Sequence, residues 1–192
     1  MHVAFADSEQ SGRRRFLTAL ALLFMVLMAV SLMEAWPRLP DRLPLHFSFD
    51  GTPDGGGSKT EILIVVGVVI LATLPMLAGG WWKKLMRRNP RWINMPRKAE
   101  ILALSAEKQA LYWELMVEFM AAMGAAMSLL FLLLIRGILA VVLNNLDHLP
   151  WWALWPGMGG LALVMLTYIP RMIRMPVKWI ARGDGRPGGH RP

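Results

Sequence analysis

The chain has 192 residues, 55% of them hydrophobic and only 18% charged, and its mean hydropathy is +0.42. That balance is too apolar for an ordinary water-soluble domain and points to an integral membrane protein. A net charge of +8 would suit a nucleic-acid binder, but the basic residues alternate with apolar blocks and the aromatics are not interleaved with them, which excludes a base-stacking surface.

Four apolar blocks, Phe16 to Met33, Ile62 to Trp82, Phe119 to Ile135 and Leu149 to Ile169, each come close to or exceed the length that crosses a hydrocarbon core of about 30 Å as a helix. The predicted fold is therefore an all-α integral membrane bundle of four transmembrane helices. In chain order we expect an N-terminal tail (1–15), a first span (16–36), an outward loop (37–60), a second span (61–82), a basic loop (83–112) and a third span (113–136). A second outward loop (137–149), a fourth span (150–170), a basic interfacial helix (171–182) and a disordered tail (183–192) follow. Arg13 to Arg15 precede the first block as the basic end of a signal peptide would. However, its roughly eighteen charge-free residues exceed a signal's apolar region, and Glu34-Ala35-Trp36-Pro37 is a poor cleavage site, so it reads as an anchor.

Of the 21 Lys and Arg residues, three precede the first span, eight lie in 83–112 and six follow residue 170, against three in 37–60 and one at Arg136. The positive-inside rule then puts both termini in the cytoplasm of a bacterial plasma membrane and the 37–60 loop outside. Seven tryptophans, Trp36, Trp81, Trp82, Trp113, Trp151, Trp152 and Trp155, fall near span ends, where amphipathic rings settle at headgroup level.

The outward loop carries the richest pattern. Pro37, Pro40 and Pro44 stop the first helix and favour extended backbone. Leu45-His46-Phe47-Ser48-Phe49-Asp50 alternates apolar and polar, which predicts a short β-strand with Leu45, Phe47 and Phe49 on one face. Asp50-Gly51 and Pro53-Asp54-Gly55-Gly56-Gly57 read as turns. Ser58 to Glu61 has the form of a capping box that starts the second helix at Lys59. Arg38 to Arg42 or a second copy of the chain are the available pairing partners for the strand.

The stretch "LPDRLPLHFSFDGTPDGGGSK" resembles the outward loop of the bacterial membrane family called domain of unknown function 1648. That family's pattern runs Leu-Pro-x-x-x-Pro-x-His-Phe-Asn, then Gly-x-Pro-Asp-Gly-Trp-Gly-Ser-Lys. Leu39, Pro40, Pro44, His46, Phe47, Gly51, Pro53, Asp54, Gly55, Gly57, Ser58 and Lys59 match, while Ser48 replaces the Asn and Gly56 the aromatic. Asn94-Met95-Pro96 echoes an Asn-x-Pro segment of longer members. The resemblance extends to the N-terminal part of SdpI-type proteins, and by kinship implies immunity to a secreted peptide or relay of its presence to a cytoplasmic protein.

His46, Asp50, Asp54, Asp147 and His148 are residue types that a divalent ion accepts, but their spacing is no recognised metal motif. A hydrogen-bond network in which His46 and Asp54 hold the turn is the favoured reading, with no metal and no cofactor. Glu114 and Glu118, four apart on the third helix, form an acidic pair. In the headgroup zone it would be structural; inside the bilayer it would mark an ion path. No nucleophile, base and orienting group assemble from these loops, so an enzyme is not expected. The expectation is sensing or immunity: His46, Phe47, Asp50, Gly51, Pro53, Asp54, Gly55 and Lys59 receive or frame an external peptide or ligand, and the loop around Asn94 and Pro96 docks a cytoplasmic protein. Proton- or ion-coupled transport through Glu114 and Glu118 is the alternative, followed by a structural subunit of a membrane complex.

Overall fold

The computed structural model describes residues 2–89 and 97–181. In chain order it contains α1 (His2–Ala35), a 3-10 turn (Trp36–Arg38), β1 (Arg42–Phe47), β2 (Pro53–Ser58), α2 (Lys59–Leu77) and α3 (Gly79–Arg88). These are followed by α4 (Lys98–Leu102), α5 (Ala106–Asn144), a second 3-10 turn (Trp151–Ala153) and α6 (Trp155–Ala181). Four helices, α1, α2, α5 and α6, are long and apolar enough to cross a membrane. The fold is thus an all-α four-span bundle with one small hairpin.

α5 is the central helix. Half of its most apolar window is buried inside the protein, against 17–22% in the other three spans, and α1, α2, α3 and α6 all pack on it. The outer helices turn Phe16, Ile64, Leu71, Leu163 and Leu166 away from the bundle. Acyl chains are as apolar as leucine, so these faces need no protein cover in a bilayer. Small residues bring the helices together: a Cβ added to Gly157 on α6 would lie 2.6 Å from the Leu130 Cα on α5.

Several boundaries differ from the sequence reading, for identifiable reasons. α1 starts at His2, inside the expected tail, and α5 covers 106–144 rather than 113–136. Glu, Lys and Gln are good helix formers, so hydropathy finds the apolar part of a helix and not its whole length. α5 begins behind Ser105, whose hydroxyl accepts from the Lys108 amide at 3.4 Å, and stops at Asn145, which takes a left-handed φ of 51°. α2 ends at Leu77 rather than 82: Pro75 lies in its last turn, and Ala78 leaves helical geometry at ψ 47°. Trp81 and Trp82 then belong to the separate basic helix α3. Instead of two helices over 150–170 and 171–182, α6 runs unbroken through Pro170 and Pro176. Met172 and Trp179 on its far half are buried with Tyr112 and Trp113 of α5, and Lys108 sits over the Trp179 ring at 5.2 Å. Tertiary packing therefore holds that half in line. Arg182, the 183–192 tail, and Asn94 and Pro96 lie outside the described residues.

The hairpin also corrects the reading of 37–60. The strand is Arg42–Phe47, earlier than Leu45 to Asp50, and its antiparallel partner is Pro53–Ser58, the glycine-rich run read above as a turn. The segment Arg38 to Arg42 is therefore not the partner; Arg42 itself belongs to β1. Glycine suits β2 because β1 lies close above it: a Cβ on Gly55 would meet the His46 Cβ at 3.0 Å. Register irregularities flank His46. As a result Leu43, Leu45 and Phe47 join the core with Met28, Leu32, Ile62 and Ile135, but Phe49 leaves their face and stands 98% exposed at the turn.

Candidate functional site

The true turn is Ser48 to Thr52. The Ser48 amide donates to the Thr52 carbonyl and the Gly51 amide to the Ser48 carbonyl, both at 2.9 Å. Gly51 takes φ 86°, a conformation that favours glycine. The Asp50 carboxylate accepts from the Ser48 hydroxyl at 2.5 Å and from the Thr52 amide at 3.0 Å. These donors hold its pKa down at about 2 from the ordinary 3.8. His46 Nδ1 meets Asp54 Oδ1 at 2.5 Å across the two strands.

At its base the hairpin is tied to both flanking helices. The Lys59 amide donates to the Asp41 carbonyl at 2.8 Å. Its ammonium donates to the Leu39 carbonyl at 3.2 Å and lies over the Trp36 ring at 4.6 Å. The Glu61 carboxylate accepts from the Ser58 amide at 3.0 Å, so the carboxylate arm of the capping box caps α2. At its tip the hairpin docks on the α5–α6 connection: the Leu149 amide donates to the Gly51 carbonyl at 2.8 Å, and Thr52 Oγ1 lies 3.3 Å from His148 Nδ1.

This docking leaves a cleft of about 420 Å³ between residues 45–51 of the hairpin and residues 149–155, with Leu134 of α5 among its lining. Of the eight hairpin positions singled out in the sequence, His46, Phe47, Asp50 and Gly51 line the cleft. Pro53 and Gly55 pair opposite Phe47 and His46, Asp54 holds His46, and Lys59 anchors the base. The opposite wall, Leu149, Trp151, Leu154 and Trp155, is absent from the sequence-based site. Its signal was there in the "WWALW" run, which the headgroup-belt reading absorbed. Among the described residues no three His, Asp or Glu side chains gather as metal ligands.

Glu114 and Glu118 lie at the other end of the bundle and line neither this cleft nor the polar one beside Arg136. Glu118 is 2% exposed; it accepts from the Tyr168 hydroxyl of α6 at 2.7 Å and faces Arg13 of α1 at 3.4 Å. Glu114 pairs with Arg14 at 3.4 Å and with Lys83 of α3. Arg13, Arg14, Lys83 and Tyr168 were not legible as partners, since they come from three other helices. Between Glu118 and Arg136 the residues 119–135 carry no charge. Eighteen helical steps cover about 27 Å, close to the hydrocarbon thickness.

Residues 22–71 match the model of the family described as domain of unknown function DUF1648. An uncharacterized protein of Archaeoglobus fulgidus is 32% identical over 102 residues, a match that covers 50% of this chain and 56% of that protein. No solved structure matches the chain. The segment similar to that family runs from α1 through the hairpin into α2.

Proposed function

We propose that the protein is a membrane receptor of the sensing or immunity kind, whose hairpin-end cleft takes an external peptide or other largely apolar ligand. The observation that carries this reading is the aromatic rim: Phe49 is 98%, Trp151 72% and Trp155 57% exposed around one concave site. Large rings in and around a cleft are the usual anchors of a ligand or peptide. In this reading the hairpin faces outward from a plasma membrane, both termini are cytoplasmic, and no chemistry is performed on the ligand. α5 is the relay. It carries Leu134 in the cleft and Glu118 in the ionic cluster, about 24 Å apart along one helix, and a cytoplasmic protein docks at the basic end around Asn94 and Pro96.

The test is photo-crosslinking in intact cells with a photoreactive residue at Phe49 and a control at Asn145, which lies at the same end outside the cleft. Capture of a discrete external peptide or ligand at Phe49 alone supports the receptor. Equal capture at both positions, or adducts only to the chain's own 149–155 segment, overturns it. Ion- or proton-coupled transport is the second reading, and it rests on Glu118 as a carboxylate buried among helices. It requires that Glu118→Gln abolish solute movement, whereas the receptor keeps ligand capture at Phe49 in that variant.

A further inference from the structure

A second, more polar cleft of about 660 Å³ opens at the hairpin end between α1 and α5, lined among others by Ser31, Glu34, Arg38, Arg136, Asn144 and Trp152. Four cations stand at this end: Arg38, Arg42, Lys59 and Arg136. Lys59 is engaged by the Leu39 carbonyl and the Trp36 ring, and Arg42 lies within electrostatic reach of Glu61. The remaining two, 98 residues apart in sequence, meet in this one cleft. Neither guanidinium has a hydrogen-bond or ion-pair partner among the described residues. Glu34 lies four residues before Arg38 yet makes no ion pair with it.

Two unengaged guanidiniums in one concavity repel each other and offer forked donors, which is the arrangement that a phosphate oxygen pair satisfies. Arg136 ends the uncharged run 119–135 of α5, which is about one hydrocarbon thickness long, so in a bilayer spanned by α5 the cleft falls at headgroup depth. The free carboxylate of Glu34 adds an acceptor for a cation on the same ligand. We propose that this cleft binds a phosphodiester bearing an amine, the headgroup chemistry of a phosphoethanolamine lipid, with Arg38 and Arg136 on the phosphate and Glu34 on the ammonium. The site is separate from the aromatic cleft and does not depend on the receptor reading.

The experiment is native mass spectrometry of the detergent-purified full-length chain titrated with phosphatidylethanolamine, phosphatidylglycerol and soluble glycerophosphoethanolamine. The wild type should retain one phosphatidylethanolamine, and each Arg→Gln change should weaken retention about tenfold, as loss of a charge-assisted contact does. Glu34→Gln should erase the preference for phosphatidylethanolamine over phosphatidylglycerol. The double lysine variant, Arg38→Lys with Arg136→Lys, keeps both charges and should recover part of the binding, which separates recognition from misfolding. Competition by the soluble headgroup at concentrations similar to the lipid would identify a soluble phosphodiester as the source, and its failure a membrane lipid; both support the site. Unchanged retention in the double glutamine variant overturns it, as does an equal loss in Arg42→Gln, which alters charge at the same end outside the cleft.

Discussion

Tyr168 of α6 donates its hydroxyl to Glu118 of α5 at 2.7 Å and so joins two spans through a buried polar contact within an apolar cluster. The third member, Arg13, lies 3.4 Å from the carboxylate, with its side chain 52% exposed, so water screens that arm and the tyrosine supplies the better-shielded contact. Tyr168→Phe should therefore lower the stability of the purified protein by about 1–2 kcal/mol, read as an earlier thermal transition in tryptophan fluorescence. Glu118→Gln keeps an acceptor for the hydroxyl and should cost less than Glu118→Ala. A Tyr168→Phe protein as stable as the wild type would mean the contact contributes nothing.

The α5–α6 seam depends on Gly157. A Cβ there would sit 2.6 Å from the Leu130 Cα and 2.7 Å from its Cδ1, and backbone cannot move aside as a flexible side-chain tip can. Gly157→Val should destabilise the bundle by about 1–3 kcal/mol through overpacking. Gly159 has nothing within 4 Å of an added Cβ; Gly159→Ala should be neutral or gain up to about 1 kcal/mol from helix propensity. Equal losses from both substitutions would show that the close approach is not what matters.

Hydropathy made the four spans legible, because a run such as Ile62 to Leu77 has no water-soluble alternative. It could not set helix ends, since the charged first turns of α5 and the basic stretch of α6 are as helical as their apolar parts. Part of one hairpin strand was legible. The alternation that starts at Leu45 marks the second half of β1, though it runs on past the strand's end to Asp50; Pro53 to Ser58 has glycine's turn signature, and only the side chains of β1 lying over it explain why glycine forms a strand there. Of the cleft, the sequence shows the hairpin wall alone. The facing wall belongs to a segment that begins 98 residues after Gly51, brought in by the Gly51–Leu149 hydrogen bond, which no local pattern announces. The partners of Glu118 are hidden for the same reason.

The turn at Asp50 should be acid-sensitive in a defined direction. Its folded pKa, about 2, lies below the ordinary 3.8 because the charged form accepts from Ser48 and Thr52. The stabilising contribution is therefore fully present above the ordinary value and is lost as pH falls through about 2. Hydrogen-exchange protection of the Thr52 amide, corrected for intrinsic exchange, should drop across that window in the wild type. In Asp50→Asn it should be lower at neutral pH and show no such step. A protection profile that is flat in the wild type would refute the assignment.

The orientation proposed for the bundle predicts a labelling pattern, and the absence of cysteine makes the chain its own clean background. Ser48 lies in the hairpin turn and Asn145 caps the end of α5 beside it, whereas Lys84 lies on α3 at the ionic-cluster end. In the proposed orientation, which the charge asymmetry supports, that second end is cytoplasmic. Single cysteines at Ser48 and Asn145 should react with a membrane-impermeant maleimide in intact cells, and one at Lys84 only after permeabilisation. The reverse pattern would turn the aromatic cleft toward the cytoplasm and end the receptor reading. It would also move the Arg38–Arg136 cleft to the inner leaflet without touching its chemistry, so the two proposals can fail independently.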